Sequence, residues 1–140
     1  MSVLADHATT RIGAVVIGRN EGERLLRGLR TLRSQLQNIV YVDSGSTDGS
    51  AGRARGLGIE VIELKPDAPF TAARARNAGI RRLLQLDPNL RYVQVVDADC
   101  ELMPGWLEIA ARRLDRNPSL AVVVVRRVDR LIMTALTVYR

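Results

Sequence analysis

The chain opens its patterned part with an unbroken apolar run, IGAVVI at residues 12–17, and then changes period. A continuous run of this length predicts a strand covered on both faces. Gly18, Arg19 and Asn20 end it. From Glu21 onward Leu25, Leu29 and Leu32 recur at helical spacing, with Leu26 and Leu36 beside them, so an amphipathic helix follows. Glu21 and Glu23 suit its first turn, where the helix dipole favours negative charge. Residues 38–42 predict a second strand, closed by DSGSTDGS. Ser46 is placed to cap a weak helix over 47–57, which Gly49, Gly52 and Gly56 interrupt. Residues 59–64 predict a third strand, 71–86 a strong helix and 92–96 a fourth strand that runs into DADC. Pro104 suits the first position of another helix, on which Trp106, Ala110 and Leu114 share a face. Asn117 and Pro118 stop it, 120–125 predict a fifth strand, and about 128–138 form a weak helix or strand.

Strand and helix thus alternate with short connections. The pattern predicts an α/β fold: one domain over residues 1–140, with an open, mostly parallel sheet and helices on both faces. Ligands of such sheets bind beyond the carboxyl ends of the strands. Here those ends carry Arg19-Asn20-Glu21, Asp43-Ser44-Gly45 and Asp97-Ala98-Asp99. Three separate strand ends therefore offer short polar side chains to one edge.

Composition narrows the partners. The 140 residues are 46% hydrophobic and 26% charged, ordinary for a globular domain with a core of its own. The formal charge of +6 comes largely from arginine, and such a surface attracts phosphorylated ligands, nucleic acid or anionic lipid. No basic tail or interleaved aromatics accompany it, so a dedicated nucleic-acid reader is not expected. One cysteine excludes an internal disulfide. The N-terminus, MSVLADHATTR, has no secretory pattern, and no apolar run is long enough to span a bilayer. A cytoplasmic location, peripheral at the membrane at most, is the expectation.

Among candidate chemistries, Asp97 and Asp99 come first. Two carboxylates one residue apart can face a common region, and hard oxygen donors suit magnesium or manganese shared with a substrate's phosphates. The same residues could instead form an ordinary turn. Asp43 could accept hydrogen bonds from a base or ribose. Arg74, Arg76 and Asn77 begin a helix, where arginine can fork to phosphate or lie solvated on the surface. Ala72, Ala73, Ala75 and Ala78 fit close packing of that helix on the sheet. Neither G-x-G-x-x-G nor G-x-x-x-x-G-K-[ST] occurs, so a nucleotide would need another cradle. Cys100 has no local histidine, since His7 stands in the N-terminal tail, and it reads as a small buried residue. No zinc spacing is present.

Four blocks in order, VVIGRNEGERLLRGLRTL, VYVDSGSTDGS, FTAARARNAG and VQVVDADCELMPGW, resemble the nucleotide-binding half of a family 2 glycosyltransferase of the GT-A fold, a Rossmann-like half domain. The likeness runs from about residue 12 to 125. It implies a nucleotide-diphospho-sugar donor and a divalent cation, Mg2+ or Mn2+. On that match Asn20 and Glu21 would line the donor pocket, Asp43 would contact the base and Arg76 or Asn77 the nucleotide region. Asp97 would sit near the ribose or sugar, and Asp99 would ligate the metal. Transfer in the family inverts the sugar as an acceptor hydroxyl attacks.

The departures lie at the end of the chain. Family members continue into an acceptor region that supplies a general base, and neither Glu101 nor Glu108 matches that residue. After Val125, Arg126 and Arg127 replace the glycine-containing strand end the family pattern leads one to expect. The resemblance therefore implies a truncated domain that lacks the acceptor-side half. Its functions divide into an enzyme domain and a remnant that binds nucleotide-sugar without transfer, with a nucleotidyltransferase as the third choice. An uncovered last strand would favour a homodimer.

Overall fold

The computed structural model describes residues 11–124 and the strand at 134–138; His7, Val125, Arg126 and Arg127 lie outside the described residues. The elements are β1 (Ile12–Gly18), α1 (Glu23–Arg33), β2 (Ile39–Asp43), α2 (Ser50–Gly56) and β3 (Glu60–Glu63). They continue with α3 (Ala72–Leu86), β4 (Tyr92–Asp97), α4 (Trp106–Arg116), β5 (Val122–Val124) and β6 (Thr134–Val138). The strands form one sheet in the order β3-β2-β1-β4-β6-β5. The first four in that order run parallel, while β6 is antiparallel to β4 and β5 antiparallel to β6. This is the expected mostly parallel α/β sheet, with a Rossmann-like GT-A half.

The unbroken apolar runs follow from two covered faces. Ile12, Ala14 and Val16 of β1 point into a core shared with Leu25, Leu29 and Leu32 of α1 and with Leu107 and Leu114 of α4. Val15 and Ile17 point the other way, to a core with Val40 and Val42 of β2 and Ala75 and Leu83 of α3. Alternate residues of one strand thus bury on opposite sides, which leaves no room for polar alternation.

Several local expectations shift. α2 begins at Ser50 with Gly49 at its N-cap, so Ser46 is not its cap. α4 begins at Trp106 after a left-handed Gly105, so Pro104 belongs to the preceding turn and is not the first helical residue. Of the four alanines on α3, only Ala75 is buried. The close approach is made instead by Gly79, where a Cβ would press into the Val15 side chain. Trp106 packs beside the core as expected, and its indole N–H donates to the buried Gln94 Oε1 at 2.8 Å. Among the described residues no helix is long and apolar enough to cross a membrane.

Candidate functional site at the carboxyl edge of the sheet

The parallel register builds the edge. Gly18 of β1 stands opposite Asp43 of β2, and Ile17 opposite Asp97 of β4. Two backbone bonds carry the pairing into the loops: Ser44 N–H donates to the Gly18 carbonyl at 3.0 Å, and Ala98 N–H to the Ile17 carbonyl at 2.8 Å. The carboxylates of Asp43 and Asp97 therefore flank the end of the central strand.

The loops after β1 and β2 are latched together. Asn20 N–H donates to Ser46 Oγ at 2.8 Å, and Asn20 Oδ1 accepts from Thr47 N–H at 2.7 Å. Gly22 N–H donates to Asp48 Oδ2 at 3.1 Å. The other Asp48 oxygen accepts the Ser50 hydroxyl at 2.5 Å and the Ser50 N–H at 3.0 Å. The Ser50 hydroxyl, then the backbone donors of Ser50 and Gly22, hold the exposed Asp48 carboxyl below its ordinary value. Asn20 adopts φ +54°, a left-handed conformation that asparagine tolerates better than most residues.

Asp43 is buried at 2% exposure. Its Oδ1 accepts from the Tyr41 hydroxyl at 2.7 Å and its Oδ2 from Ser46 N–H at 2.8 Å. Burial, reinforced by the bond to Asp43, pushes the Tyr41 phenol well above its usual range, so it stays a donor. Asp43 thus secures the same loop that Asn20 grips from the other side.

On the other flank Asp97 is exposed, and its Oδ1 pairs with Arg76 Nη2 at 3.2 Å. Arg76 Nε is buried without a hydrogen-bond partner. Asp99 is half-buried and accepts from the Cys100 thiol at 3.4 Å. Cys100 itself is buried, as expected. Glu21 lies beside Gly18 at the end of β1 and pairs with Arg24 of α1 at 2.8 Å. Asn77 lies exposed on α3. Arg74 turns back to its own loop, donating to the carbonyls of Ala68 at 2.8 Å and Lys65 at 2.9 Å and pairing with Asp67 at 2.9 Å. The structure therefore brings together Asn20 with the Asp43 loop, and Arg76 with Asp97.

Asp48 is the residue that sequence reading passed over as a site member. The string Asp43-Ser44-Gly45-Ser46-Thr47-Asp48-Gly49-Ser50, with a glycine-serine pair after each aspartate, is the feature that could have found it, since short acceptors beside glycine favour loop hydrogen bonds. Among the described residues no group of three or more His, Cys, Asp or Glu side chains could hold a metal ion unaided. Asp97 and Asp99 supply two carboxylates at this edge, short of such a group.

Fold and polar edge together define a GT-A-like α/β domain. The model of the family "Glycosyl transferase family 2" matches residues 14–134, and the chain belongs to that family. A TPR repeat-containing protein of Synechococcus elongatus is 29% identical over 120 residues, 85% of this chain and 28% of the relative. An uncharacterized glycosyltransferase of Rickettsia conorii is 34% identical over 58 residues, 41% of this chain and 20% of the relative. The chain thus spans well under a third of either curated relative. Among solved structures, a cytidylyltransferase from Leptospira borgpetersenii superposes with a TM-score of 0.61 at 13% identity, over 92% of this chain and 60% of that one. Glucosyl-3-phosphoglycerate synthase from Mycobacterium tuberculosis, in complex with Mn2+, uridine-diphosphate-glucose and phosphoglyceric acid, gives 0.52 at 18% identity, over 95% and 58%. At such identities the structures share the fold, which glycosyl- and nucleotidyltransferases both use.

Proposed function

We propose that this chain is a nucleotide-diphospho-sugar-binding domain that holds its donor at the carboxyl edge and does not by itself complete sugar transfer. The observation that carries the reading is the strand register. It sets Asp43 and Asp97 on either side of the end of β1, with Arg76 on Asp97. In this reading the base lies toward the β2 loop, where Asp43 acts on it through the Ser46 turn it fixes. Asn20 and Glu21 line the pocket, and Arg76 or Asn77 meets the nucleotide. Asp97 faces the ribose or sugar, and Asp99 would hold Mg2+ or Mn2+ against the diphosphate. Charge building on the diphosphate as the sugar bond breaks is what such an ion would neutralise.

Transfer needs a base for the acceptor hydroxyl, and the carboxylates of this edge are committed elsewhere. Asp43 is buried under two hydrogen bonds, and Asp97 pairs with Arg76. Glu21 pairs with Arg24, and Glu101 with Arg27 at 3.2 Å. Asp99 is reserved for the ion. A general base contributes about 10² to 10⁴ in rate. A donor-binding domain without transfer is therefore favoured over a self-sufficient enzyme.

Calorimetry with UDP, GDP, CDP and ADP, with and without Mn2+, tests the donor site. Binding of at least one of them, strengthened by Mn2+, is expected, and binding of none refutes the reading. Asp99→Asn should remove the Mn2+-dependent gain, weakening affinity by about tenfold or more.

A further inference from the structure

Three arginines rim the edge, and two have protein partners: Arg74 is tied to its own loop and Arg76 to Asp97. The third, Arg19, is exposed at the end of β1, and among the described residues no carboxylate pairs with it. Its guanidinium carbon lies 5.8 Å from the centroid of the Phe70 ring. Phe70 itself is held in place. It is half-buried in the loop before α3, and the Arg74 guanidinium also lies 5.8 Å from its centroid. A Cβ on Gly45 would come within 3.1 Å of two of its ring carbons, so the ring lies against the backbone two residues beyond Asp43. The Asn20 latch fixes the chain on the other side of Arg19. The Arg19 charge thus stands beside a fixed ring, with no carboxylate among the described residues to pair with it.

The direction matters. β1 lies between β2 and β4 in the sheet, and Phe70 with Gly45 draws Arg19 to the β2 side. Arg76, Asp97 and Asp99 occupy the β4 side, where the donor-site reading puts sugar and diphosphate. What reaches Arg19 is then the opposite end of the nucleotide, the base. A guanidinium offers only donors, five in a planar fork. It matches a base edge carrying carbonyl acceptors and finds less on adenine, which presents an amino group instead.

We propose that Arg19, supported on Phe70, reads the donor's nucleobase and selects an oxo-bearing base, uracil or guanine, over adenine. This rests on the donor-site reading above. Its test is calorimetry on the full chain with Mn2+, using UDP, GDP, ADP and inorganic pyrophosphate as probes. The wild type should bind UDP or GDP about tenfold or more tighter than ADP. Arg19→Ala should erase that ratio and leave pyrophosphate affinity unchanged. Arg19→Lys should fail to restore the ratio, because a point charge lacks the planar fork. Phe70→Leu should reduce it, with a thermal melt confirming that the variant is folded. Equal wild-type affinity for ADP, a ratio that survives Arg19→Ala, or a parallel loss of pyrophosphate binding would each overturn the inference. The last outcome would move Arg19 to the phosphates. If wild-type protein binds no probe at all, the donor site itself falls, a result distinct from the other three.

Discussion

Asn20 has the least comfortable backbone of the described non-glycine residues, and three hydrogen bonds around it suggest what holds it there. Its φ of +54° lets its own N–H reach Ser46, its side chain reach Thr47, and the following Gly22 reach Asp48. Asn20→Ala removes the side-chain acceptor and leaves a Cβ at positive φ, so it should cost about 1–3 kcal/mol in denaturant titration. Asn20→Gly loses the same acceptor without the backbone penalty and should recover roughly 1 kcal/mol of that. Equal losses in both variants would place the whole effect in the hydrogen bond. Asp48 adds a pH dependence whose sign is fixed. Its carboxyl is held low in the folded chain, mainly by the Ser50 hydroxyl. That stabilisation is complete above the unfolded carboxyl value and is lost as pH falls through the lower folded one, so it belongs to the acid limb below about pH 4. Asp48→Asn, which keeps only one acceptor oxygen, should lower the thermal midpoint at neutral pH and flatten that limb, so that variant and wild type converge in acid. At this scale the sequence showed which polar residues stand at the strand ends. It could not show that Asp43 is satisfied by Tyr41 and Ser46, or that Asn20 meets a loop 26 residues away, because those partners depend on which strands become neighbours.

Among the elements, α1 is pressed against the segment that follows β4. A Cβ at Gly28 would run into the backbone carbonyl of Cys100, which cannot swing aside as a flexible side chain would. Thr31, one turn later, accepts Leu102 N–H at 2.9 Å, so the helix and the segment after β4 are fixed to each other. Gly28→Ala should therefore cost about 1–3 kcal/mol in stability. By displacing the Asp97–Asp99 turn it should also weaken Mn2+-dependent nucleotide binding more than Mn2+-free binding. Calorimetry in both conditions checks this, and an equal loss would mean that the turn had not moved. Helix and strand periods were legible because each face buries a regular stripe, as with Leu25, Leu29 and Leu32. Helix starts were less so. Ser46 and Pro104 both suit a first turn, yet Ser46 is drawn into the Asn20 latch and the chain instead enters each helix through a left-handed glycine, Gly49 or Gly105. The strand at 134–138 was ambiguous for a related reason: its antiparallel place between β4 and β5 depends on distant pairing that a short apolar run does not encode.

Across the whole molecule the two ends of the sheet are unlike. β3 carries Glu60 and Glu63, paired with Arg82 and Arg55, each at 2.7 Å. Charge along an edge discourages another strand from adding there. β5 at the opposite end consists of Val122, Val123 and Val124, and both Val122 and Val124 are exposed. Its first ladder is taken by β6, and among the described residues no strand pairs with its other side. An uncharged edge of β-branched residues is the kind that accepts a second copy of itself. Sedimentation velocity should show a concentration-dependent dimer, and Val124→Lys should shift it to monomer, with its thermal midpoint falling only to that of dilute wild type. The donor edge lies at the carboxyl ends of β1, β2 and β4, separate in sheet order from β5, so nucleotide affinity should be the same in the variant. A monomeric wild type would remove β5 as an assembly edge and leave the donor site untouched. Loss of nucleotide binding along with the dimer would instead mean that the second copy completes the pocket.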